Sequence, residues 1–284
     1  MKKDSESNFK SNIIKLILGT GFAQVIPIML LPVLTRIYSP EDFGIFAVYM
    51  AIAGILGVIA TGRYELAIVL PKNNNDASDI FWLCIIISFF LSVFSLLFIF
   101  MFNDVFLVAL KLPINSNILF LVPFSIFFAG LLQSLNYLFV RGELFGILSK
   151  SKVALSGGTT SSQTFSGLLF ISSGFGLSIG YIVGQLTSIS YLFFNSKKFL
   201  KVLKPSIKNI KEQFLNYKKF ILLSTPGALL DTSAVQLPVF LINNFYSTSI
   251  AGQFSLAMRI INLPLALIGA AVSQVLLQKV ASSD

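Results

Sequence analysis

Long apolar stretches separated by short polar segments dominate the chain. A membrane-spanning helix needs about 20 mostly apolar residues. Eight stretches meet this requirement, at residues 13–35, 43–70, 80–102, 117–140, 152–172, 175–195, 219–242 and 250–277. The pattern therefore predicts an all-α fold, a polytopic bundle of transmembrane helices.

Two of these stretches have unusual features. The first is too long for the core of a signal peptide, and no small-residue cleavage site follows it. We therefore expect it to be the first span. Residues 152–172 contain the run SGGTTSSQTFSG, which is too polar to face lipid. We expect this helix to face either other helices or an aqueous cavity.

The composition agrees with a membrane location. Hydrophobic residues make up 55% of the 284 residues and charged residues only 12%, whereas a soluble domain carries about 25% charged residues. The chain has no His and a single Cys, Cys84. This excludes an intramolecular disulfide, a Cys/His zinc site and acid–base catalysis by histidine. We predict no metal, no cofactor and no enzymatic activity.

The positive charges lie mainly on one side of the predicted membrane. With the N-terminus placed in the cytoplasm, 17 of the 21 Lys and Arg residues fall in cytoplasmic segments. Lys and Arg concentrate in the cytoplasmic loops of membrane proteins, so a cytoplasmic N-terminus is predicted. The net charge of +9 follows from this bias, and a nucleic-acid partner is not expected.

The longest polar segment, Lys197 to Lys219, carries eight lysines. We expect an interfacial loop or an amphipathic helix held to anionic headgroups, at about 1 kcal/mol per Lys near the surface. In the alternative interpretation, the segment has the additional role of gathering an anionic lipid substrate at the inner leaflet. Both interpretations make anionic membrane lipids its partners.

Two segments of the chain resemble each other. LPVLTRIYSPEDFGIF, which begins at Leu31, is similar to LPVFLINNFYSTSIAGQF, which begins at Leu237. Leu-Pro-Val matches at an offset of 206 residues, and Tyr-Ser, Gly and Phe then match at an offset of 208. Because an even number of predicted spans separates the copies, both cross the membrane in the same direction, as in the parallel repeats of secondary transporters.

The repeat predicts how the chain is divided. Residues 1–195 would form a six-helix N-terminal lobe, residues 196–218 a basic cytoplasmic loop, and residues 219–284 the first two helices of an incomplete second lobe. On this interpretation we expect a truncated or interrupted reading frame.

A stripe of small residues marks the sixth span. In GFGLSIGYIVGQLTS, the residues Gly176, Gly180, Gly184 and Ser188 recur every four positions. Such a face lets neighbouring helices approach closely. We predict that it packs against another helix.

Charged residues also occur inside predicted spans, where they are costly and usually functional. Arg63 and Glu65 lie in the second span, Asp231 in the seventh and Arg259 in the eighth. Residues two apart point to different sides of a helix, so we expect that Arg63 and Glu65 do not simply neutralise each other. Arg63 either snorkels to the inner headgroups or faces a cavity, and Glu65 either pairs with a loop Lys or serves that cavity.

Asp231 and Arg259 cannot easily reach the interface, so we expect them to line a polar cavity. Gln24 in the first span adds a neutral polar group to the candidate lining. A cavity that carries more Arg than acid would attract an anion. A guanidinium also offers a bidentate fork to phosphate.

Three local patterns resemble a known family. They are YSPEDFG from Tyr38, RYELAIVLP from Arg63 and GLSIGYIVGQL from Gly176. They are similar to patterns in bacterial oligosaccharide flippases, the Wzx-type polysaccharide biosynthesis proteins of the multidrug/oligosaccharidyl-lipid/polysaccharide exporter superfamily. Arg63 and Glu65 match the charged end of that family's second span, and Arg259 resembles a cavity arginine of related lipid-linked sugar flippases.

The resemblance implies a function. Such proteins move undecaprenyl-pyrophosphate-linked oligosaccharides across the bacterial cytoplasmic (inner) membrane by alternating access, for O-antigen, capsule or other surface polysaccharide. It implies a lipid-linked anionic oligosaccharide as the substrate and a polysaccharide polymerase and other assembly proteins as partners. Arg63 becomes a candidate ligand of the pyrophosphate. Glu65 would hold the Arg63 helix in register or belong to a coupling-ion site.

Three alternatives stay open. A cation-coupled multidrug antiporter of the same superfamily would favour carboxylates over arginines in its cavity. A polysaccharide polymerase or glycosyltransferase is disfavoured, because the longest predicted external loop, near residues 103–116, is short and no phosphate-cradling glycine loop is apparent. An inactive remnant would result if the reading frame is truncated.

Overall fold

The computed structural model describes residues 19–113, 117–169, 173–196 and 207–262, and the regular structure in these residues is helical. The α-helices are α1 (Gly19–Ile37, interrupted by a turn at Leu30), α2 (Pro40–Val58), α3 (Asn74–Ala109), α4 (Val122–Arg141), α5 (Phe145–Leu168), α6 (Gly174–Asn195), α7 (Ile207–Asn216), α8 (Thr225–Phe245) and α9 (248–262). The 3₁₀ segments Tyr64–Val69 and Ile118–Leu121 and the π-helical turn Phe220–Ser224 complete the described secondary structure.

The predicted polytopic bundle is confirmed. Six helical segments within the described residues are long and apolar enough to cross a membrane: Gly19–Ile37, Pro40–Val58, Asn74–Ala109, Ile118–Arg141, Gly174–Asn195 and Phe220–Phe245. The predicted span at 152–172 corresponds to α5, which is a helix but falls outside this set because its polar run lowers its hydropathy. The predicted span at 250–277 lies in large part outside the described residues.

The predicted second span, 43–70, is wrong at its C-terminal end. α2 ends at Val58, and the chain then turns through Gly62 and Arg63, whose φ angles are +60° and +64°. The 3₁₀ segment Tyr64–Val69 follows the turn. Glycine adopts a left-handed φ without steric penalty. Hydropathy does not register such a break, because the residues after the turn are again apolar.

α2 lies at the centre of the bundle, and α4, α6 and α8 pack against it. One apolar cluster joins α2 to α4 through residues such as Tyr49 and Ile126. A second cluster joins the 3₁₀ segment to α3, α4 and α7, with Tyr64, Ile68 and Ile210 among its buried members. α7 falls within the basic segment predicted as a loop or an amphipathic helix, and it is a helix that buries one face on the protein.

The polar stretch of α5 packs against the small-residue face of α6. Cβ atoms added to Gly180 and Gly184 would collide with side chains of α5, those of Gln163 and Thr159 respectively. The Ser188 hydroxyl donates a hydrogen bond of 2.9 Å to a main-chain carbonyl of α5. The close helix–helix packing predicted for this small-residue stripe is therefore present.

The two similar segments begin their helices in the same way. The Ser39 side chain accepts a hydrogen bond of 3.2 Å from the main-chain N–H of Asp42 at the start of α2. The Ser247 side chain accepts one of 3.2 Å from the N–H of Ile250 at the start of α9. Both serines are helix N-caps, and they are matched residues at the offset of 208.

α2 and α9 cross each other at matched residues. A Cβ atom on Gly44 would collide with the Thr248 carbonyl, and a Cβ atom on Gly252 would collide with the Pro40 carbonyl. Gly44 matches Gly252, and Pro40 matches Thr248, at the same offset of 208 residues. The contact is therefore reciprocal, which is the signature of a local two-fold axis. Such a contact supports the internal repeat.

Candidate functional site

A cavity of about 430 Å³ lies between α1, α2, α5, α6 and α9. Its lining combines apolar and neutral polar side chains with one cation, Arg259. The lining residues are Gln24, Pro27, Ile28, Phe46, Met50, Leu155, Ser156, Thr159, Thr160, Gln163, Tyr181, Arg259 and Asn262. The structure thus brings together two of the sequence-predicted site residues, Gln24 and Arg259.

Arg259 projects from α9 over an aromatic ring. Its guanidinium carbon lies 5.8 Å from the centroid of the Phe46 ring on α2. A cation is attracted to the face of an aromatic ring at this distance. Among the described residues, no carboxylate pairs with Arg259 and no group accepts a hydrogen bond from its guanidinium.

The α5 wall of the cavity is polar but uncharged. The hydroxyls of Thr159 and Thr160 donate to main-chain carbonyls one turn earlier in α5. The side-chain amide of Gln163 donates to the Leu177 carbonyl at 2.9 Å. At least one hydrogen-bond donor of each of these side chains is therefore used within the protein. Sequence reasoning allowed a cavity beside this stretch as one of two alternatives but did not single out these residues.

Arg63 and Glu65 form an ion pair with each other. Arg63 Nη1 lies 3.6 Å from Glu65 Oε1, and the Thr61 hydroxyl donates to the other carboxylate oxygen. The Glu65 side chain is only 2% exposed, whereas that of Arg63 is 29% exposed. The expectation that these two residues do not neutralise each other is wrong. It assumed a continuous α-helix, but the left-handed φ of Arg63 folds its side chain back toward Glu65.

This pair lies away from the cavity, in the turn between α2 and α3. The segment after the turn packs against α7. The Tyr64 hydroxyl donates a hydrogen bond of 3.0 Å to the Phe214 carbonyl, and the two rings stack with their centroids 5.7 Å apart. Gln133 of α4 donates from its side-chain amide to the carbonyl of Gly57, near the end of α2, at 3.2 Å. The turn is thus tied to α7, and the end of α2 is tied to α4.

Arg141 was not among the predicted site residues, yet it fixes the end of the same turn. Its guanidinium donates to the main-chain carbonyls of Ile68 at 3.3 Å, Pro71 at 2.6 Å, and Lys72 and Asn73 at 3.4 Å, and to the Asn74 side chain at 3.1 Å. The sequence marked Arg141 only as one of the cytoplasmic positive charges. A planar guanidinium can gather several carbonyls at once, but hydropathy gives no sign of that geometry.

Asp231 is not brought to the cavity. It lies on an exposed face of α8, and the most apolar window of the segment Phe220–Phe245 has none of its residues buried. The expectation that Asp231 lines a cavity with Arg259 thus finds no counterpart among the described residues. A carboxylate at mid-membrane depth is costly unless another group covers it.

The comparisons with known proteins give one family. The sequence pattern of the family described as "Polysaccharide biosynthesis protein" matches residues 33–283. No curated protein and no solved structure matches the chain. The matched region includes α2 to α9, and with them Arg259 and most of the cavity wall. The chain, a multi-pass helical membrane protein, therefore belongs to the polysaccharide biosynthesis protein family.

Proposed function

We propose that the chain translocates an undecaprenyl-pyrophosphate-linked oligosaccharide across the bacterial cytoplasmic membrane, for O-antigen, capsule or another surface polysaccharide. The observation that carries this proposal is the charge of the cavity. Arg259 is the charged group among its described lining residues, and the other polar groups there are hydroxyls and amides. A site of this composition attracts an anion that also carries many hydroxyl groups.

Each part of the cavity has a counterpart in such a substrate. The Arg259 guanidinium would take the pyrophosphate, since charge-assisted bidentate hydrogen bonds are the strong ones. Gln24, Thr160 and Gln163 would accept hydrogen bonds from sugar hydroxyls, and the Gln24 amide would also donate to them. Phe46 would supply an apolar ring beside them. No bond is made or broken in this scheme, so the protein acts as a transporter rather than as an enzyme.

Alternating access would use the two halves of the repeat. In this proposal residues 1–195 form one lobe, residues 196–218 the basic connection and residues 219–284 the start of the second lobe. The Gly44–Gly252 crossing supports such a division. α2 and α9 touch there at glycines, so the two helices can shift against each other without interlocking side chains. Arg259 would then move with α9, while the α5 wall stays with the first lobe.

The ion pair takes a different role in this proposal. Arg63 is already neutralised by Glu65, so it is a weaker candidate for pyrophosphate than Arg259. Glu65 would hold the turn in shape and, if it exchanges a proton or a cation, would couple the turn to transport. Anionic lipids would bind the basic segment around α7, and polysaccharide assembly proteins would receive the product.

The charge of the cavity also argues against a multidrug antiporter. An arginine without a carboxylate partner in the cavity would repel a cationic drug. The described lining has no carboxylate, and the buried Glu65 carboxylate lies elsewhere, beside Arg63.

A deletion experiment tests the proposal. The gene is deleted in its host, and the deletion strain is complemented with the intact gene or with the Arg259→Ala variant. The lipid-linked oligosaccharide on each leaflet is then measured. Accumulation on the cytoplasmic leaflet, relieved by the intact gene but not by the variant, is the expected result. An unchanged distribution in a strain with no second flippase would refute translocation.

A further inference from the structure

The cavity-lining residues of α5 continue toward the cytoplasm as a stripe. Ser156, Thr159, Thr160 and Gln163 line the cavity. Side chains three or four residues apart lie on the same face of an α-helix. Lys152 precedes Ser156 by four residues and therefore occupies the next position of this stripe. At 1.5 Å per residue it lies roughly 6 Å below Ser156 along the helix axis.

The burial of Lys152 differs from that of its neighbour Lys150. Lys152 is half-buried, whereas Lys150 is exposed. Among the described residues, no carboxylate lies within ion-pair distance of Lys152. A half-buried ammonium without a carboxylate is unfavourable unless a ligand or water uses it. Lys150 is thus a natural control, since it carries the same charge in the same turn on another side of the helix.

α1 and α5 touch each other close to Lys152. A Cβ atom on Gly19 of α1 would collide with the Ser149 side chain of α5, so the two helices touch there. Ser149 is three residues before Lys152, and the cavity begins four residues after it. Lys152 therefore lies between the Gly19–Ser149 contact and the cavity that holds Arg259.

We propose that Lys152 is a specificity-determining residue at the cytoplasmic end of the cavity, which draws an anionic headgroup in toward Arg259 and repels cations. This inference rests on the proposed function, because it names the group that selects the anion before it reaches the cavity. The ligand class is a phosphate or pyrophosphate ester that enters from the inner leaflet.

The rate of thiol labelling by charged reagents measures the electrostatic potential that Lys152 produces at a nearby cysteine. Cys84, the single cysteine, is replaced by Ser, and Ser156→Cys is introduced as a reporter in the full chain. Inside-out membrane vesicles are treated with an anionic sulfonatoethyl or a cationic trimethylammonioethyl methanethiosulfonate. One unit charge at about 6 Å changes each rate about threefold even in bulk water. Lys152→Gln should therefore lower the anionic-to-cationic rate ratio by about tenfold, whereas Lys150→Gln should leave it within about twofold.

One further variant and a protection experiment make the test decisive. Lys152→Arg should retain the ratio, which separates charge from shape. Inorganic pyrophosphate should protect the reporter in the parent and in Lys152→Arg more than in Lys152→Gln. An equal ratio in Lys152→Gln and the parent would overturn the proposal, and so would a reporter that neither reagent reaches. The labelling does not depend on export, so the two proposals can fail separately. If Lys152→Gln changes the rate ratio but deletion of the gene leaves the distribution of the oligosaccharide between the leaflets unchanged, the proposed function is refuted and the role of Lys152 is kept.

Discussion

Arg63 and Arg259 are alike in the sequence, since each is a cation inside a long apolar stretch. In the folded chain their surroundings are opposite. Arg63 is paired with Glu65 at 3.6 Å, in a turn tied to α7. Arg259 lies over the Phe46 ring and faces a cavity of hydroxyls and amides. The immediate neighbours of an intramembrane charge, more than its depth, decide whether it is structural or free to bind a ligand.

The backbone explains why the two arginines differ. α2 ends before Arg63, and the left-handed turn at Gly62 and Arg63 brings the guanidinium back to Glu65. Arg259 lies in a continuous stretch of α9, so its side chain projects from a helix that touches α2 near Gly252. A local turn thus creates one site, and the crossing of two helices creates the other.

The largest expected effect is on the Arg63 site. Glu65→Gln keeps the shape of the side chain but leaves Arg63 without its counter-charge. Breaking a buried ion pair costs about 3–5 kcal/mol, and we expect about 2–3 kcal/mol here because the exposed part of Arg63 is screened by solvent. An SDS titration in mixed micelles measures the free energy of unfolding. The double variant Arg63→Gln/Glu65→Gln should recover most of the loss, and no recovery would contradict a stabilising pair.

Arg259 should show the reverse behaviour. Arg259→Ala removes charge-assisted hydrogen bonds to the ligand, which are worth about 1.5–3 kcal/mol, so export should fall roughly 10- to 100-fold. The free energy of unfolding should change little, because no carboxylate among the described residues loses a partner. Export is measured as the oligosaccharide reaching the outer leaflet, at matched protein levels. A loss of stability as large as that of Glu65→Gln, with normal export, would mean that the two arginines do not differ in role.

The glycine crossing tests whether α9 positions Arg259. Gly252→Ala would force a methyl group into the Pro40 carbonyl, and overpacking of this kind costs about 1–3 kcal/mol. We expect lower export and displacement of Arg259, measured by spin labels on α2 and α9. Gly146→Ala is the matched control, since nothing lies within 4 Å of that position and an alanine gains up to about 1 kcal/mol in a helix. Equal effects of the two variants would show that the crossing is not a tight contact.

The sequence predicted the helical bundle well because hydropathy and length decide which segments enter a membrane. Gln24 and Arg259, which stand out in the sequence as polar groups in apolar stretches, both line the cavity. The residues that match in the repeat also lie in contact across α2 and α9, although the repeat alone did not predict that contact. Each of these features depends on the type of single residues or on their spacing, and both can be read from the sequence without knowledge of the fold.

The features that the sequence did not predict depend on residues that become neighbours only in the folded chain. The pairing of Arg63 with Glu65 follows from two backbone torsion angles, and the carbonyl cluster around Arg141 follows from a turn that hydropathy does not register. Asp231 looked equivalent to Arg259 by depth, but the faces of α8 and α9 differ. Only the packing of helices determines which face meets the cavity.

The smallest expected effect lies at the contact between the Arg63 turn and α7. Tyr64→Phe keeps the ring stacked on Phe214 but removes the hydroxyl that donates to the Phe214 carbonyl at 3.0 Å. One hydrogen bond of this kind contributes about 0.5–1.5 kcal/mol. We expect faster tryptic cleavage after Lys211 and Lys218, with unchanged labelling of the Ser156→Cys reporter in the cavity. If the variant altered the reporter as strongly as Lys152→Gln does, the turn and the cavity would be parts of one site, and the contrast between the two arginines would fail.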